Sequence, residues 1–211
     1  MTISHPFPPS TASRALILGS TSRYRRELLE RLRLPFDVVS PEVDETPLTG
    51  ESPHDLAWRL ALAKARAVAG LYPDAVVIGS DQVADLDGMP LGKPGSHDKA
   101  TAQLRQMRGR TVVFQTAVAV VCKASAFEQT RLASVRVRFR DLDDDDIENY
   151  LRTEQPYDCA GSAKSEGLGI GLLASIDSDD PTALIGLPLI RTCDLLRAAG
   201  IALFKPQAVT A

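Results

Sequence analysis

The middle of the chain carries the stretch AVVIGSDQV at positions 75–83, in which an apolar run gives way to small and polar residues. An apolar run of this kind, rich in β-branched residues, predicts a strand that is buried on both faces, as in the parallel sheets of α/β proteins. We expect the strand to end at Gly79, which places the carboxylate of Asp81 and the carboxamide of Gln82 at its carboxyl end. Open α/β sheets bind their ligands there. The sequence therefore predicts an α/β fold with a functional site that includes Asp81.

Helical and strand-like patterns alternate on both sides of this stretch. The predicted elements are a strand at 15–19, a helix up to about residue 34, a helix capped by Ser52, a helix capped by Ser96, strands at 111–122 and 130–140, an acidic helix at 143–152 and a last helix that stops before Gly200. This order indicates a two-lobed mixed sheet flanked by helices, with a cleft between the lobes. We expect a flexible tail at 1–13 and one domain over 14–211.

Composition restricts the class of protein. The chain has 24 Lys and Arg against 27 Asp and Glu, and this net charge of −3 argues against a nonspecific nucleic-acid binder. No apolar run approaches the roughly 20 residues that cross a membrane. Three widely spaced cysteines argue against a disulfide framework and favour a reducing, cytoplasmic location. An anionic substrate would have to be bound by local positive charge.

Hydroxyl-bearing, basic and acidic residues recur where phosphate chemistry requires them. Ser20 and Arg25 mark the start of the first helix, where free backbone N–H groups favour an anion. Lys64 is a lone cation on an apolar helix face, Lys93 follows a predicted turn, and Glu45 belongs to an acidic cluster. Together with a divalent cation, such residues supply what phosphoryl chemistry needs. Three scattered histidines argue against a zinc site or a Ser-His-Asp triad.

Six segments resemble, in order and spacing, motifs of the Maf family of nucleoside triphosphate pyrophosphatases. They are LGSTSRYRRELLERL, PEVDET, RLALAKARA, IGSDQVADLDGMPLGKP, CAGSAKSEGLGI and LIGLPLI. The resemblance covers about residues 16–196 and is nearest to the YceF-like branch of 7-methyl-GTP pyrophosphatases. It implies a two-lobed α/β fold like that of inosine triphosphatases, a Mg²⁺ or Mn²⁺ cofactor, and hydrolysis of a nucleoside triphosphate to the monophosphate and diphosphate.

The resemblance also implies roles for individual residues. Asp81 would accept a proton from the attacking water, and Glu45 and Asp81 would hold the metal. The triphosphate would be contacted by Ser20, Arg25, Lys64 and Lys93. Substrate preference would depend on Tyr24, Gln82 and Glu166.

The chemistry of 7-methylguanine agrees with this assignment. A carboxylate at Glu166 can accept hydrogen bonds from the two donors on the pairing edge of the base and offset the positive charge of the methylated ring. Tyr24 can stack on that ring. Three alternatives stay open: a preference for dTTP or UTP, a preference for a noncanonical purine triphosphate, and a nucleotide-binding regulator of cell division. A homodimer is also compatible with the sequence.

Overall fold

A computed structural model describes residues 14–204 of the protein. The tail predicted at 1–13 lies outside the described residues, as do residues 205–211. The strands are β1 (Leu16–Gly19), β2 (Asp37–Val39), β3 (Val76–Leu86), β4 (Met89–Leu91), β5 (Thr111–Cys122), β6 (Phe127–Phe139) and β7 (Leu173–Asp177). The helices are α1 (Arg23–Glu30), α2 (Pro53–Leu71), α3 (His97–Met107), α4 (Asp144–Glu154) and α5 (Leu189–Ala198).

All seven strands belong to one mixed sheet, ordered β2-β1-β3-β5-β6-β7, with β4 paired to β3 outside that row. The pairs of β1 with β2 and with β3 are parallel, whereas the pairs β3–β5, β5–β6 and β6–β7 are antiparallel. This mixed sheet with flanking helices confirms the predicted fold class. No helix between residues 14 and 204 is long and apolar enough to cross a membrane.

Two groups of helices lie on one face of the sheet, and a single helix lies on the other face. Helices α1 and α5 pack on the end of that face near β1, and α3 and α4 pack on its far end against β5 and β6. Helix α2 covers the opposite face. Each group buries its own apolar cluster. A cleft lies between them, lined by the start of α1 on one side and by residues that follow α4 on the other. These are the two lobes that the sequence predicted.

Polar caps fix where several helices begin. The side chains of Ser52 and Ser96 accept hydrogen bonds from backbone N–H groups three residues later, at 3.1 and 3.4 Å, as predicted. Asp143 and Asp146 form a reciprocal capping box at the start of α4. The acidic run therefore starts a helix, as the sequence indicated.

The prediction that the central strand ends at Gly79 is wrong. Strand β3 continues to Leu86 because β5 pairs with it from Val77 to Asp85, whereas its pairing with β1 stops where Gly19 faces Gly79. Asp81 therefore lies within a strand, beside the open carboxyl end of the neighbouring strand β1. The short strands β2, β4 and β7 were not predicted, and α1 ends at Glu30 rather than near residue 34.

Gly79 is the point of closest approach between β3 and α2. A Cβ atom at this position would lie 2.3 Å from the carbonyl oxygen of Ala61 and 2.5 Å from the backbone nitrogen of Ala65. Both distances are far inside van der Waals contact, and both involve backbone atoms that cannot rotate away. Only glycine allows the helix backbone to lie this close to the strand.

We expect Gly79→Ala to destabilise the protein, because α2 would have to move off the sheet. Overpacking of this kind costs about 1–3 kcal/mol or more, which corresponds to a fall in melting temperature of roughly 2–4 °C per kcal/mol for a protein of this size. Thermal and urea unfolding measure the change. Gly171→Ala is the matched control, since no atom lies within 4 Å of the added methyl group there. Equal stability of the two variants would contradict the prediction.

Candidate active site

A cleft of about 400 Å³ opens where β1 ends and α1 begins. This volume lies within the range of about 300–1,000 Å³ that is typical of small-molecule sites. Eight of the predicted site residues line it: Ser20, Tyr24, Arg25, Glu45, Lys64, Gln82, Lys93 and Glu166. The ninth, Asp81, lies beneath the cleft and is joined to it through Lys64. The structure thus brings together all the residues that the sequence singled out.

The start of α1 presents hydroxyl, amide and guanidinium donors to the cleft. Ser20 accepts a hydrogen bond from the backbone N–H of Ser22, and Ser22 in turn caps the helix by accepting from the N–H of Arg25. The Arg25 guanidinium donates from Nε to the carbonyl of Gly186 at 2.9 Å and lies 3.5 Å from Ser20 Oγ. Burial lowers the pKa of Arg25, while Asp81 and Glu45 act in the opposite direction. A fixed cation beside a helix N-terminus favours a bound phosphate group.

Lys64 joins two carboxylates from different parts of the chain. Its Nζ lies 2.6 Å from Asp81 Oδ1 and 2.6 Å from Glu45 Oε1. Lys64 and Asp81 are buried, with 6% and 10% of their side chains exposed, whereas Glu45 is 58% exposed. Burial alone would raise the pKa of Glu45, but Lys64, Lys93 and Arg25 outweigh it and lower that pKa. Both carboxylates therefore converge on one positive charge at the base of the cleft.

No group of three or more His, Cys, Asp or Glu side chains between residues 14 and 204 is placed to hold a metal ion. The predicted ligands Glu45 and Asp81 form a pair only. Two carboxylates are nonetheless a usual protein contribution to a Mg²⁺ site, because substrate phosphates and water complete the coordination. Both carboxylates already contact one cation, the Lys64 ammonium group, and the same convergence suits a metal ion.

A salt bridge that the sequence analysis missed fixes the loop that carries Glu45. Arg59, on α2, binds both carboxylate oxygens of Glu51 at 2.6 and 2.8 Å and also donates to the carbonyl of Thr46 at 3.1 Å. Glu51 accepts from the backbone N–H of Leu48 as well. The loop is therefore tied to the helix that also carries Lys64. Arg59 lies five residues before Lys64, yet nothing in the local sequence relates it to Glu51.

The side chains of Ser80 and Gln82 hold the opposite wall of the cleft. Gln82 Nε2 donates to the carbonyls of Ala183 and Leu184, both at 2.9 Å, and Ser80 Oγ donates to the carbonyl of Gly186 at 3.0 Å. The Gln82 amide thus contacts the protein's own backbone. Its role in substrate preference stays a prediction.

An aromatic and acidic group forms the other end of the cleft. The Tyr24 hydroxyl accepts a hydrogen bond from Arg23 at 2.8 Å and lies 3.8 Å from the sulfur of Cys159. Burial raises the pKa of the Cys159 thiol to about 12, so this cysteine is a neutral lining group. Desolvation raises the pKa of Glu166 as well. Arg23 and Cys159 had no predicted role, although Cys159 begins one of the six segments.

The family model described as "Maf-like protein" matches residues 15–199. The chain is 76% identical over 195 residues to the 7-methyl-GTP pyrophosphatase of Polaromonas sp., covering 92% of this chain and 89% of that protein. It is 68% identical over 188 residues to the protein of the same name from Albidiferax ferrireducens, covering 89% and 94%.

Among solved structures, the Staphylococcus aureus Ham1 protein matches with a TM-score of 0.45 and 16% identity, covering 61% of this chain and 73% of that one. The match to the family model spans most of the chain, and the relatives are identical at more than two thirds of the aligned positions. The chain therefore belongs to the family of Maf-like proteins.

Proposed function

We propose that the protein hydrolyses 7-methyl-GTP to 7-methyl-GMP and diphosphate as a step of nucleotide-pool housekeeping. The observation that carries this proposal is the convergence of Asp81 and Glu45 on Lys64 at the base of a cleft that also contains Glu166. The names of the two relatives described above support the choice of substrate. The cleft supplies opposite charges to the two ends of such a substrate.

The cationic end of the cleft is suited to a triphosphate. Arg25, Lys64 and Lys93 line it together with Ser20, so positive charge and hydrogen-bond donors face the same space. Donors that are already fixed before the substrate binds stabilise developing charge without further reorganisation. These residues supply the local positive charge that an anionic substrate requires in a protein whose net charge is −3.

Asp81 is the proposed general base. Its Oδ1 is held by Lys64, while Oδ2 makes no hydrogen bond to any other residue within 14–204. That oxygen is therefore available to accept a proton from a water molecule aimed at the α-phosphorus, and diphosphate is the leaving group. Attack at the α position is carried over from the family resemblance.

Glu45 and Asp81 would hold a Mg²⁺ or Mn²⁺ ion. When bound, the ion would neutralise charge on the phosphates and polarise the bond that breaks. Lys64 lines the cleft and contacts both carboxylates, so its positive charge lies beside the proposed metal ligands and faces the space for the phosphates. The protein's own contribution is to keep both carboxylates directed at one point.

Tyr24 and Glu166 are the proposed contacts to the base. The phenol ring can stack on the cationic 7-methylguanine, a contact worth about 0.5–2 kcal/mol. Glu166 can accept hydrogen bonds from the ring N1–H and the exocyclic amine. A base without this pair of donors leaves the carboxylate unpaired, which costs about 1–3 kcal/mol. We place this reaction in the cytoplasm, where free nucleotides occur and where the three unpaired cysteines would stay reduced.

We expect Asp81→Asn to reduce kcat by about 10²–10⁴-fold, as is typical for loss of a general base. The assay incubates purified protein and Mg²⁺ or Mn²⁺ with 7-methyl-GTP, GTP, dTTP, UTP, CTP and ITP, and it measures diphosphate and orthophosphate separately. Asp85→Asn is the matched control, because Asp85 belongs to the same strand but accepts a hydrogen bond from the backbone N–H of Gly88 instead of pairing with Lys64.

Each outcome of this assay has a distinct meaning. Full activity of Asp81→Asn would remove Asp81 from the mechanism. A wild-type preference for dTTP or UTP would keep the reaction and reject the proposed substrate. Tight nucleotide binding by the wild type without turnover would favour the nucleotide-binding regulator.

Glu166→Gln should reduce kcat/KM for 7-methyl-GTP by about tenfold, because one acceptor becomes a donor and the negative charge is lost. The value for UTP should stay the same or rise, because the variant no longer leaves an unpaired carboxylate beside a base that lacks the two donors. GTP has the same pairing edge without the ring charge, so the ratio of 7-methyl-GTP to GTP isolates the charge contribution. An unchanged ratio for both reference substrates would contradict a role for Glu166 in base recognition.

The preference for 7-methyl-GTP over UTP should decrease as the pH falls. Desolvation raises the pKa of Glu166 above its ordinary value of 4.5, so its carboxylate gains a proton at a higher pH than a solvated glutamate would. The ratio of kcat/KM values between about pH 4.5 and 6.5 is the measurement, since effects common to both substrates cancel. The ratio for Glu166→Gln should be flat over this range, and a parallel decrease in that variant would assign the titration to another group.

A further inference from the structure

The carboxylate of Glu166 belongs to a tight turn at residues 164–167. The backbone N–H of Gly167 donates to the carbonyl of Lys164 at 3.1 Å, which closes the turn with Glu166 at its third position. The Glu166 side chain makes no ion pair with any residue between 14 and 204. Its carboxylate accepts a hydrogen bond at 3.5 Å from Ser165 Oγ, which belongs to the same turn. The direction of Glu166 toward the cleft therefore depends on the contacts that hold the turn in place.

The side chain of Glu154, on α4, contacts the first residue of the turn and the residue that follows the turn. Glu154 forms a salt bridge with the ammonium group of Lys164, and its Oε2 accepts a hydrogen bond from the backbone N–H of Leu168 at 2.8 Å. Only 13% of the Glu154 side chain and 21% of the Lys164 side chain are exposed. Lys164 and the Leu168 N–H, in that order, lower the pKa of Glu154, so it is ionised when it makes these contacts.

Helix geometry alone does not favour a glutamate at this position. Glu154 is the last residue of α4, where the carbonyl ends of the helix concentrate negative charge. A carboxylate there is repelled by the helix unless a cation compensates it. Lys164 supplies that cation from the turn.

The fit between α4 and the turn is close. A Cβ atom on Gly167 would lie 2.7 Å from Glu154 Oε2, and one on Gly169 would lie 2.5 Å from the carbonyl oxygen of Lys164. One helical turn earlier, the buried Tyr150 hydroxyl accepts from the backbone N–H of Lys164 at 3.0 Å. The turn can therefore occupy only a narrow range of positions relative to the helix.

We propose that Glu154 is a positioning residue for base recognition, acting on the substrate through Lys164, Leu168 and the turn that carries Glu166. The proposal rests on the proposed function, in which Glu166 recognises the base. Glu154 does not line the cleft and touches no substrate. It sets the distance and direction from which the Glu166 carboxylate meets the pairing edge.

The test compares the wild type, Glu154→Gln, Glu166→Gln and the double variant. Glu154→Gln should reduce the ratio of kcat/KM for 7-methyl-GTP to that for UTP by about tenfold, since small displacements of a recognition group have effects of this size or larger. The loss should lie in KM for 7-methyl-GTP, with kcat for UTP unchanged. In the Glu166→Gln background, the Glu154 substitution should cause no further loss of the ratio, because the group that it positions is already altered.

Glu148→Gln is the matched control, because Glu148 is on the same helix but pairs with Arg152 and His97. Its ratio should equal that of the wild type. Lys164→Met removes the same salt bridge from the other partner and replaces Glu154→Gln if that variant does not fold, as judged by its thermal unfolding.

The outcomes separate the two proposals. A normal ratio in Glu166→Gln would reject the role of Glu166 in base recognition and, with it, the positioning role. A reduced ratio in Glu166→Gln with a normal ratio in Glu154→Gln would overturn the positioning role alone. Independent, multiplying losses in the double variant would also overturn it, because Glu154 would then act by another route.

Discussion

The direct contact between the backbone of α2 and the backbone of β3 at Gly79 is the constraint on which the site depends. Ala61 and Ala65 lie against Gly79, and Lys64 lies between them on the helix. Asp81 follows two residues after Gly79, on the same face of the strand. A bulkier residue at 79 would push the helix outward and carry the Lys64 ammonium away from the carboxylate. The absence of one side chain thus produces the 2.6 Å contact beneath the cleft.

Stability of the fold does not by itself explain the buried ion pair between Lys64 and Asp81. Burying two charges costs several kcal/mol in lost hydration, and well-packed apolar residues often replace such pairs without loss of stability. Lys64 also has a second, exposed partner in Glu45, and the salt bridge of Arg59 holds the loop that supplies it. This arrangement keeps a cation and two carboxylates at the base of an open cleft. Binding of phosphate and a metal ion would explain why these charges lie together, whereas packing alone would not.

Local patterns in the sequence predicted the long elements and failed for the short ones. The serine caps, the acidic helix start and strand β5 were readable because each depends on neighbouring residues. Three-residue strands such as β2 and β4 have too little periodicity to detect, and the polar run at 80–82 concealed the continuation of β3 that pairing with β5 maintains. The motif residues lie in or beneath one cleft, and the roles that the resemblance implies for them stay predictions. The contacts that hold them, such as Arg59 with Glu51, depend on tertiary placement that no local pattern encodes.

The two ends of the cleft belong to different parts of the fold. Most donors proposed for the triphosphate come from the start of α1 and from α2, and Lys93 comes from the loop between β4 and α3. Glu166 comes from a turn held by α4 in the other lobe. Substitutions in that turn can change the donors and acceptors offered to a base without disturbing Lys64 or Asp81. A cleft divided in this way can keep one hydrolytic reaction while its preference among bases changes. On the proposed function, the carboxylate that recognises the base would therefore depend on the α4 lobe, whereas the placement of Lys64 and Asp81 would depend on the contact between α2 and β3.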